Sequence, residues 1–580
     1  MKWIKKTCTV LGALVLAGVL IALVSSFFAR ERVPSEVIIS LNLEQPVIES
    51  IPDDPLARAM MGDRWVLRDL VEAIDRAAED RRVKGLVARV GGASQGMAAV
   101  QEIRQAIERF RESGKPAIAY AETIGEVGPG NQGYYLATAF DEIHMQESGD
   151  IGLVGLISES MFLAGTLEKL DLEPRMDHRH EYKNAKNTFT ETEFTEAHRE
   201  AEQAVLDDLF EEMVSDIAQS RGLSDLEIRD LINRGPFLGV EAVDAGLIDG
   251  LAYRHELDGL LEAKVGRFTT MESRHYFRLA GRPHKRGTGV AVIHGTGGVM
   301  RGESGYDPVF GSVSMGSDTV VRAFRDAIED DSIKAILFRV DSPGGSYVAS
   351  DAILAMTRKA REAGKPVVVS MGNVAASGGY FVAMEADRII AQPGTITGSI
   401  GVLGGKFLTT DFWLERFGIS WDAVTTADNA SMYSGGHDYT EHGWQRHQDW
   451  LDRVYEDFVA KAAAGRNMSY DELEAFAKGR IWTGQQALDR GLVDGVGGYG
   501  EAMAAVRELL ELEVDAPLKL KTYPEPKGWL NLLAGGRAEP VASRAALRAL
   551  ESIQPLMREL HRAGIVGDKD VLEITPPEVK

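Results

Sequence analysis

A chain of 580 residues with 44% hydrophobic and 26% charged residues is globular in composition and too long for one core, so several domains are expected. Its formal net charge of −23 opposes phosphate backbones and argues against nucleic acid as a partner. The single cysteine, Cys8, rules out an intrachain disulfide and argues against a cysteine protease or a cysteine-ligated zinc site.

Lys2, Lys5 and Lys6 precede a charge-free run from Thr7 to Phe28. At about 1.5 Å per residue this run is long enough to cross a ~30 Å hydrocarbon layer. The positive-inside rule leaves the N-terminus in the cytoplasm and everything after Arg30 outside. Ser25-Ser26-Phe27-Phe28-Ala29 is a poor small-x-small cleavage site, so residues 1–34 are expected to be a basic stub and an uncleaved transmembrane helix. Cys8 precedes the apolar core of this segment, the wrong place for a lipoprotein cysteine.

Val37 to Leu41 reads as a short strand. From Trp65 to Ala78, Val66, Leu70, Val71 and Ile74 share one helical face. Val83 to Val90 has a buried-strand pattern, Ala99 to Phe110 is helical, and after Gly114-Lys115-Pro116 the run Ala117 to Tyr120 is the next strand. This order recurs from Val290 onward, because the chain duplicates itself with a period of about 250 residues. Val83–Val90 matches Ile333–Val340, Ser113–Pro116 matches Ala363–Pro366, and Gly133-Tyr134-Tyr135 matches Gly379-Tyr380-Phe381. Gly149-Asp150-Ile151-Gly152 is paired with Gly398-Ser399-Ile400-Gly401, and Gly239–Gly250 with Gly484–Gly495. The expected architecture is therefore α/β, with two repeats of one fold over 35–275 and 276–520 and mostly parallel strands. Glu196 to Ser220 reads as a connecting helix or arm. Residues 521–580 repeat nothing and read as a C-terminal extension with one helix from Ser543 to Arg562.

The second repeat carries Asp341-Ser342-Pro343-Gly344-Gly345-Ser346 after one strand and Ala375-Ala376-Ser377-Gly378-Gly379-Tyr380 after the next. A serine between a strand and a helix, followed by glycine, is well placed to be a nucleophile. The bare Gly378 lets a carbonyl approach backbone N–H groups, and Gly344-Gly345 can supply a second donor to the same oxyanion. Tight turns need the same glycines, but the first repeat has Asn131-Gln132 where Ser377-Gly378 stand, so the turn itself does not require the serine. A serine nucleophile needs a base. The segment Thr397–Gly404 holds no histidine. His437, His442 and His447 read as surface residues of a helix and its approach, and His178 and His180 as surface residues of a strand or loop. At i, i+2, His178 and His180 have a metal-like spacing, but no carboxylate spacing converges with them. The remaining base is a lysine in Glu181-Tyr182-Lys183-Asn184-Ala185-Lys186-Asn187. Lys183 and Lys186 both stand as candidates, for a site completed by one repeat's lysine and the other's serine.

In this order the motifs Tyr182-Lys183-Asn184-Ala185, Ser342–Ser346, Ala375–Tyr380, Thr397–Gly401 and Trp482-Thr483-Gly484 resemble the signal peptide peptidase A (protease IV) family in its long two-repeat form, over residues 35 to 515. The resemblance implies tandem Clp protease/crotonase-like domains of spiral ββα units. It implies a Ser/Lys dyad of Ser377 (nucleophile) and Lys183 (general base, not Lys186), with Ser399 orienting the amine. Oxyanion donors fall on Gly378 and on Gly344 or Gly345, with no metal and no cofactor. It further implies a bacterial inner-membrane, single-pass serine endopeptidase with periplasmic catalytic domains. Such an enzyme assembles as a bowl-shaped homotetramer and degrades signal peptides or other apolar peptides left in the membrane lipid. Apolar pockets beside Ser377 are expected from Val402-Leu403 and Phe407. The alternatives are a crotonase-like acyl-CoA enzyme, which would not need Ser377, and a non-catalytic membrane scaffold.

Overall fold

The computed structural model describes residues 31–92, 95–308 and 311–525. The expected anchor over Thr7–Phe28 and the helix Ser543–Arg562 lie outside them. Among the described residues, no helix is long and apolar enough to cross a membrane.

Each repeat is built on six parallel strands in one order, and the second repeat's sheet adds Ile396–Gly398 and, antiparallel to it, Ile481–Thr483, eight strands in all. The first sheet runs 250–251, 142–145, 117–121, 83–89, 37–42 and 269–272 in spatial order. The second runs 495–496, 388–391, 367–376, 333–342, 288–296 and 518–523, the same order element for element. The strands are near-continuous apolar runs such as Val367-Val368-Val369 because helices cover both sheet faces. One core gathers Leu70, Ile74, Leu86, Ile103 and Phe110, and its counterpart gathers Val320, Phe324, Ile336, Ile353 and Ala360.

The matched sequence blocks prove to be matched hydrogen bonds. Lys115 Nζ donates to the carbonyls of Ala77, Ala78 and Asp80, and Lys365 Nζ to those of Ala327, Ile328 and Asp330, all at 2.6–2.9 Å. Tyr134 Oη donates to Leu247 O at 2.8 Å and Tyr380 Oη to Leu492 O at 2.9 Å. These lysines close the C-terminal ends of helices, where carbonyls lack intrahelical partners.

Three expectations change. The first repeat runs past residue 275, since helix Ser273–Ala280 packs on helix Leu67–Glu79, and the second repeat's edge strand runs to Tyr523. His447 is buried, stacked between Tyr439 and Trp450, rather than on the surface. The pairing of Asp150 with Ser399 is out of register. Asp150 stands opposite Leu238, and Ile396 opposite Thr483. Leu238 and Thr483 each precede the matched Gly239 and Gly484, so Asp150 corresponds to Ile396 and Leu153 to Ser399. A second Gly-x-x-Gly, Gly152–Gly155, lies three residues beyond the first in the sequence, and only strand pairing tells them apart.

The repeats are joined along a polar seam. Arg339, 1% exposed, donates to both carboxylate oxygens of Glu49 at 3.0 and 2.7 Å, to Glu102 at 2.9 Å and to Ser370 Oγ at 2.8 Å. Helix Glu196–Arg221 of the first repeat lies along strand Ile481–Thr483 of the second. There Glu200 accepts two bonds from Arg480 at 2.6 and 2.7 Å, and Thr483 Oγ donates to Asp208. Finally, Glu173–His178 pairs antiparallel with Leu403–Leu408, which carries the first repeat's next segment into the second.

Candidate active site

Strand Val367–Ala376 delivers Ser377 to the start of a short helix, Gly378–Phe381. Ser377 has φ 53° and ψ −118°, a conformation that a residue with a Cβ rarely adopts and that costs about 1–3 kcal/mol. The Ser377 N–H donates to Gly398 O at 2.9 Å, and its carbonyl accepts the first helical bond from Phe381. The turn thereby lifts Oγ off the strand end and aims it across the seam.

Lys183 reaches it from the other repeat. After the paired strands, Arg179 N–H donates to Val402 O and Tyr182 N–H to Lys478 O, which draws the loop against the second repeat. Two glycines make room. A Cβ on Gly479, at φ 82°, would stand 2.5 Å from Lys183 N, and one on Gly401 would press on Lys183 Cδ. Lys183 is 1% exposed and Ser377 2%. Lys183 Nζ lies 2.9 Å from Ser377 Oγ, 3.1 Å from Ser399 O and 3.2 Å from Ser399 Oγ. Burial alone pulls the Lys183 ammonium down to about 7. Lys186 points away, 4.0 Å from Asp177.

Ser399, at φ 50°, is held by its N–H on Arg480 O at 2.7 Å and by Oγ donating to Gly479 O at 3.3 Å. Its Oγ therefore turns its lone pairs, not its proton, toward the lysine.

Beside Ser377, the N–H groups of Gly378 and Gly345 carry no bond to another described residue, and they face one space. A Cβ on Gly378 would stand 3.0 Å from Gly345 N. The Gly344 N–H is instead committed to Ser342 Oγ at 3.3 Å. Of the two glycines expected to donate, geometry leaves Gly345 free. Gly344 has a steric task, since at φ 113° its Cβ would strike Gly378 N at 2.8 Å.

An apolar pocket adjoins this space, lined by Tyr347, Phe381, Val454, Phe458 and Gly401 with Ser377 and Gly378. The residues expected there lie elsewhere. Val402 is in the second core, and Phe407 packs edge-on against Phe189 at 5.4 Å in a satellite cluster. Tyr347 and Phe381 directly follow the two glycine motifs and were legible on that ground. Val454 and Phe458 come from helix Glu441–Gly465, and no local motif announces them.

The corresponding place in the first repeat is closed. Asn131, 1% exposed, donates to Gly155 O at 2.8 Å and accepts from the N–H groups of Val154 and Gly155 at 3.0 and 3.1 Å. Its amide is thereby committed to the backbone of Val154 and Gly155. Among the described residues, no group of three or more His, Cys, Asp or Glu side chains is arranged to hold a metal.

Comparison with known proteins agrees with the duplication. The family model described as peptidase family S49 matches residues 109–266 and 359–513. Protease 4 of Salmonella typhi is 33% identical over 463 residues, 77% of this chain and 72% of that protein. The chloroplastic serine protease SPPA of Arabidopsis thaliana is 28% identical over 83% of this chain and 72% of its own length. A ClpP1 mutant from Listeria monocytogenes aligns at 13% identity with a TM-score of 0.24, over 37% of this chain and 94% of that one, a likeness too slight to bear on the fold.

Proposed function

This chain belongs to peptidase family S49, the protease 4/SppA serine proteases, and on that premise we propose that it cleaves apolar peptides with a Ser377/Lys183 dyad shared between its repeats. One observation carries the proposal. A lysine amine without a nearby carboxylate is buried 2.9 Å from the oxygen of a serine held in a strained turn.

Hydrogen-bond accounting gives the roles. A neutral amine has two N–H donors and one lone pair. Ser399 O and Ser399 Oγ take the two donors, which leaves the lone pair facing the Ser377 hydroxyl. Lys183 then removes that proton as Oγ adds to the scissile carbonyl. The carbonyl oxygen becomes an anion within reach of the N–H groups of Gly378 and Gly345, each such donor being worth about 3 kcal/mol in the transition state. The ammonium returns its proton to the departing amine. In the second half the same amine activates water against the acyl-enzyme. The wall of Tyr347, Phe381, Val454 and Phe458 would present an apolar surface to a side chain next to the cleaved bond.

The rest of the reading rests on the resemblance and on the N-terminal segment. The enzyme is held in a bacterial inner membrane by Thr7–Phe28, with its catalytic repeats in the periplasm. It acts as a homotetramer on signal peptides left in the lipid, and each repeat is a spiral ββα unit of the Clp protease/crotonase type.

The test is hydrolysis of an apolar, signal-like peptide by the full-length protein in detergent, with a serine-directed phosphonate to trap the nucleophile. Adduct on Ser377 supports the assignment, and adduct on another serine ends it. Because Lys183 serves as base only when neutral, kcat/KM is expected to rise as pH increases through about 7, as one proton is lost, and then to level off. A flat profile from pH 5 to 9 would refute the lysine base. Ser399→Ala leaves one N–H of the buried amine without its acceptor and is expected to lower kcat/KM by roughly 10- to 100-fold, the equivalent of 1–3 kcal/mol.

A further inference from the structure

We propose that Asp341 is a positioning residue for Ser377: its carboxylate fixes the strand bulge that carries the nucleophile. This rests on the reading of Ser377 above.

The geometry is specific to this position. Strands Ile333–Ser342 and Val367–Ala376 run in register up to Val340 opposite Met371, and resume with Ser342 opposite Ala375. Gly372, Asn373 and Val374 therefore stand against Asp341 alone. Three residues facing one cannot all find partners in a regular ladder, and a bulge of this kind re-aims the residues beyond it. The Asp341 carboxylate replaces the missing ladder. Its Oδ1 accepts from the Val374 N–H at 2.9 Å, and the Asn373 N–H adds a weaker attraction to the same carboxylate. Gly372 allows the approach, since a Cβ there would stand 2.8 Å from Asp341 Cβ. Three residues beyond Val374 is Ser377.

The same residue also borders the oxyanion arm. Asp341 O accepts from the Gly297 N–H at 2.8 Å, and the chain continues directly into Ser342 and Gly344-Gly345. The bulge is secured from outside as well. Thr395 Oγ donates to Gly372 O at 2.8 Å, and Asn373 Oδ1 accepts from the Ala99 N–H of the first repeat at 3.0 Å. Asp341 thus ties the strand of Ser377 to the strand of the oxyanion donors at the bulge itself. The first repeat has glycine at this point, Gly91, and no serine to aim. Burial, with Glu49 nearby, pushes the Asp341 carboxyl up to about 7. Its acceptor oxygen is present in either protonation state, so asparagine can reproduce it.

The test compares Asp341→Asn, Asp341→Ala and Asp341→Ser in the full-length protein in detergent, by amide exchange across 372–377 and by peptide hydrolysis. Serine keeps a polar group but is too short to reach both N–H groups. Alanine and serine are expected to speed exchange at Asn373 and Val374 at least ~10-fold and to lower kcat at least ~10-fold, with KM within about threefold. Asparagine is expected to stay within about threefold of wild type in both readouts. Exchange unchanged in the alanine and serine variants overturns the proposal, as does an asparagine variant as impaired as alanine. If neither short variant folds, Asp341 is a determinant of folding and the positioning role is overturned. Wild-type protein that cleaves nothing, yet shows the expected exchange pattern, refutes the peptidase reading and leaves the positioning of Ser377 standing.

Discussion

Lys183→Met is expected to abolish peptide hydrolysis, by at least about 1,000-fold in kcat/KM, and at the same time to make the protein more stable. The loss stems from the environment of Ser377. No histidine stands in its place, and Lys183 Nζ is the basic atom at 2.9 Å from Oγ. Ser377→Ala should lose as much, and the double variant little more, because the two act as a unit. Lys186→Ala should keep nearly full activity, since Lys186 faces Asp177. The gain in stability has its own sign. In the unfolded chain the amine titrates near its ordinary value of about 10.4, and in the folded chain at about 7. Between these values the unfolded state holds the extra proton, so stability rises with pH through that window. The cost of burying the amine is therefore complete at and below pH 7 and disappears above pH ~10. Methionine has similar length and no charge, so Lys183→Met should gain between about 1 and 4 kcal/mol at pH 7, and nothing at pH ~10.5. Urea melts at the two pH values check this. Equal stabilities at pH 7 would mean that the buried amine is not strained, and an active Lys183→Met would remove the lysine from the mechanism.

Arg339→Met is expected to destabilise the protein by roughly 3–5 kcal/mol, the largest loss from any one seam residue. The guanidinium bridges Glu49 and Glu102 of the other repeat, and all three side chains are buried. Removing it strands two carboxylates in low dielectric, which costs far more than the pair contributes when whole. Glu102 already feels this environment, since burial raises its pKa even with Arg339 present. Part of the loss should return as the pH falls, because a carboxylate stranded by the loss of Arg339 is relieved when it takes up a proton. The variant Arg339→Met/Glu49→Gln/Glu102→Gln should recover most of it at pH 7. The control is Arg89→Met. Arg89 is the counterpart of Arg339 in the first repeat, but its side chain is 27% exposed beside Glu44 and Glu122 at the surface. It should change stability by under ~1 kcal/mol. A comparable loss at both positions would show that seam burial is not the cause. Peptide hydrolysis should fall with Arg339→Met as well, because the contact of Lys183 with Ser377 exists only while the repeats stay docked.

Much of this molecule was legible as pattern. The duplication, the strand–helix order and the blocks around Lys115 and Lys365 could be read because a repeated local hydrogen-bond scheme demands repeated residues at repeated spacing. The glycines of Ser342–Ser346 and Ala375–Tyr380 were readable for the same reason: a positive φ or a close backbone approach leaves few residue choices. The correspondence of Asp150 with Ser399 went wrong where two similar Gly-x-x-Gly runs competed, since composition is nearly blind to a three-residue slip while strand pairing is not.

What the sequence determined by itself was local: which segments form strands and helices, that the two halves share one fold, and that one half keeps a serine where the other has asparagine. The tertiary structure decided everything that depends on distance between the halves. Lys183 rather than Lys186 meets Ser377 because Gly401 and Gly479 leave a slot for one stem and not the other. Gly345 rather than Gly344 keeps a free N–H because Ser342 Oγ occupies the other. The pocket is walled by Val454 and Phe458, more than seventy residues downstream of Ser377. The Lys183 pKa and the Arg339 cluster are likewise properties of burial at the seam. Burial depends on which surfaces meet, and residues far apart in the chain meet through packing, which no local spacing encodes.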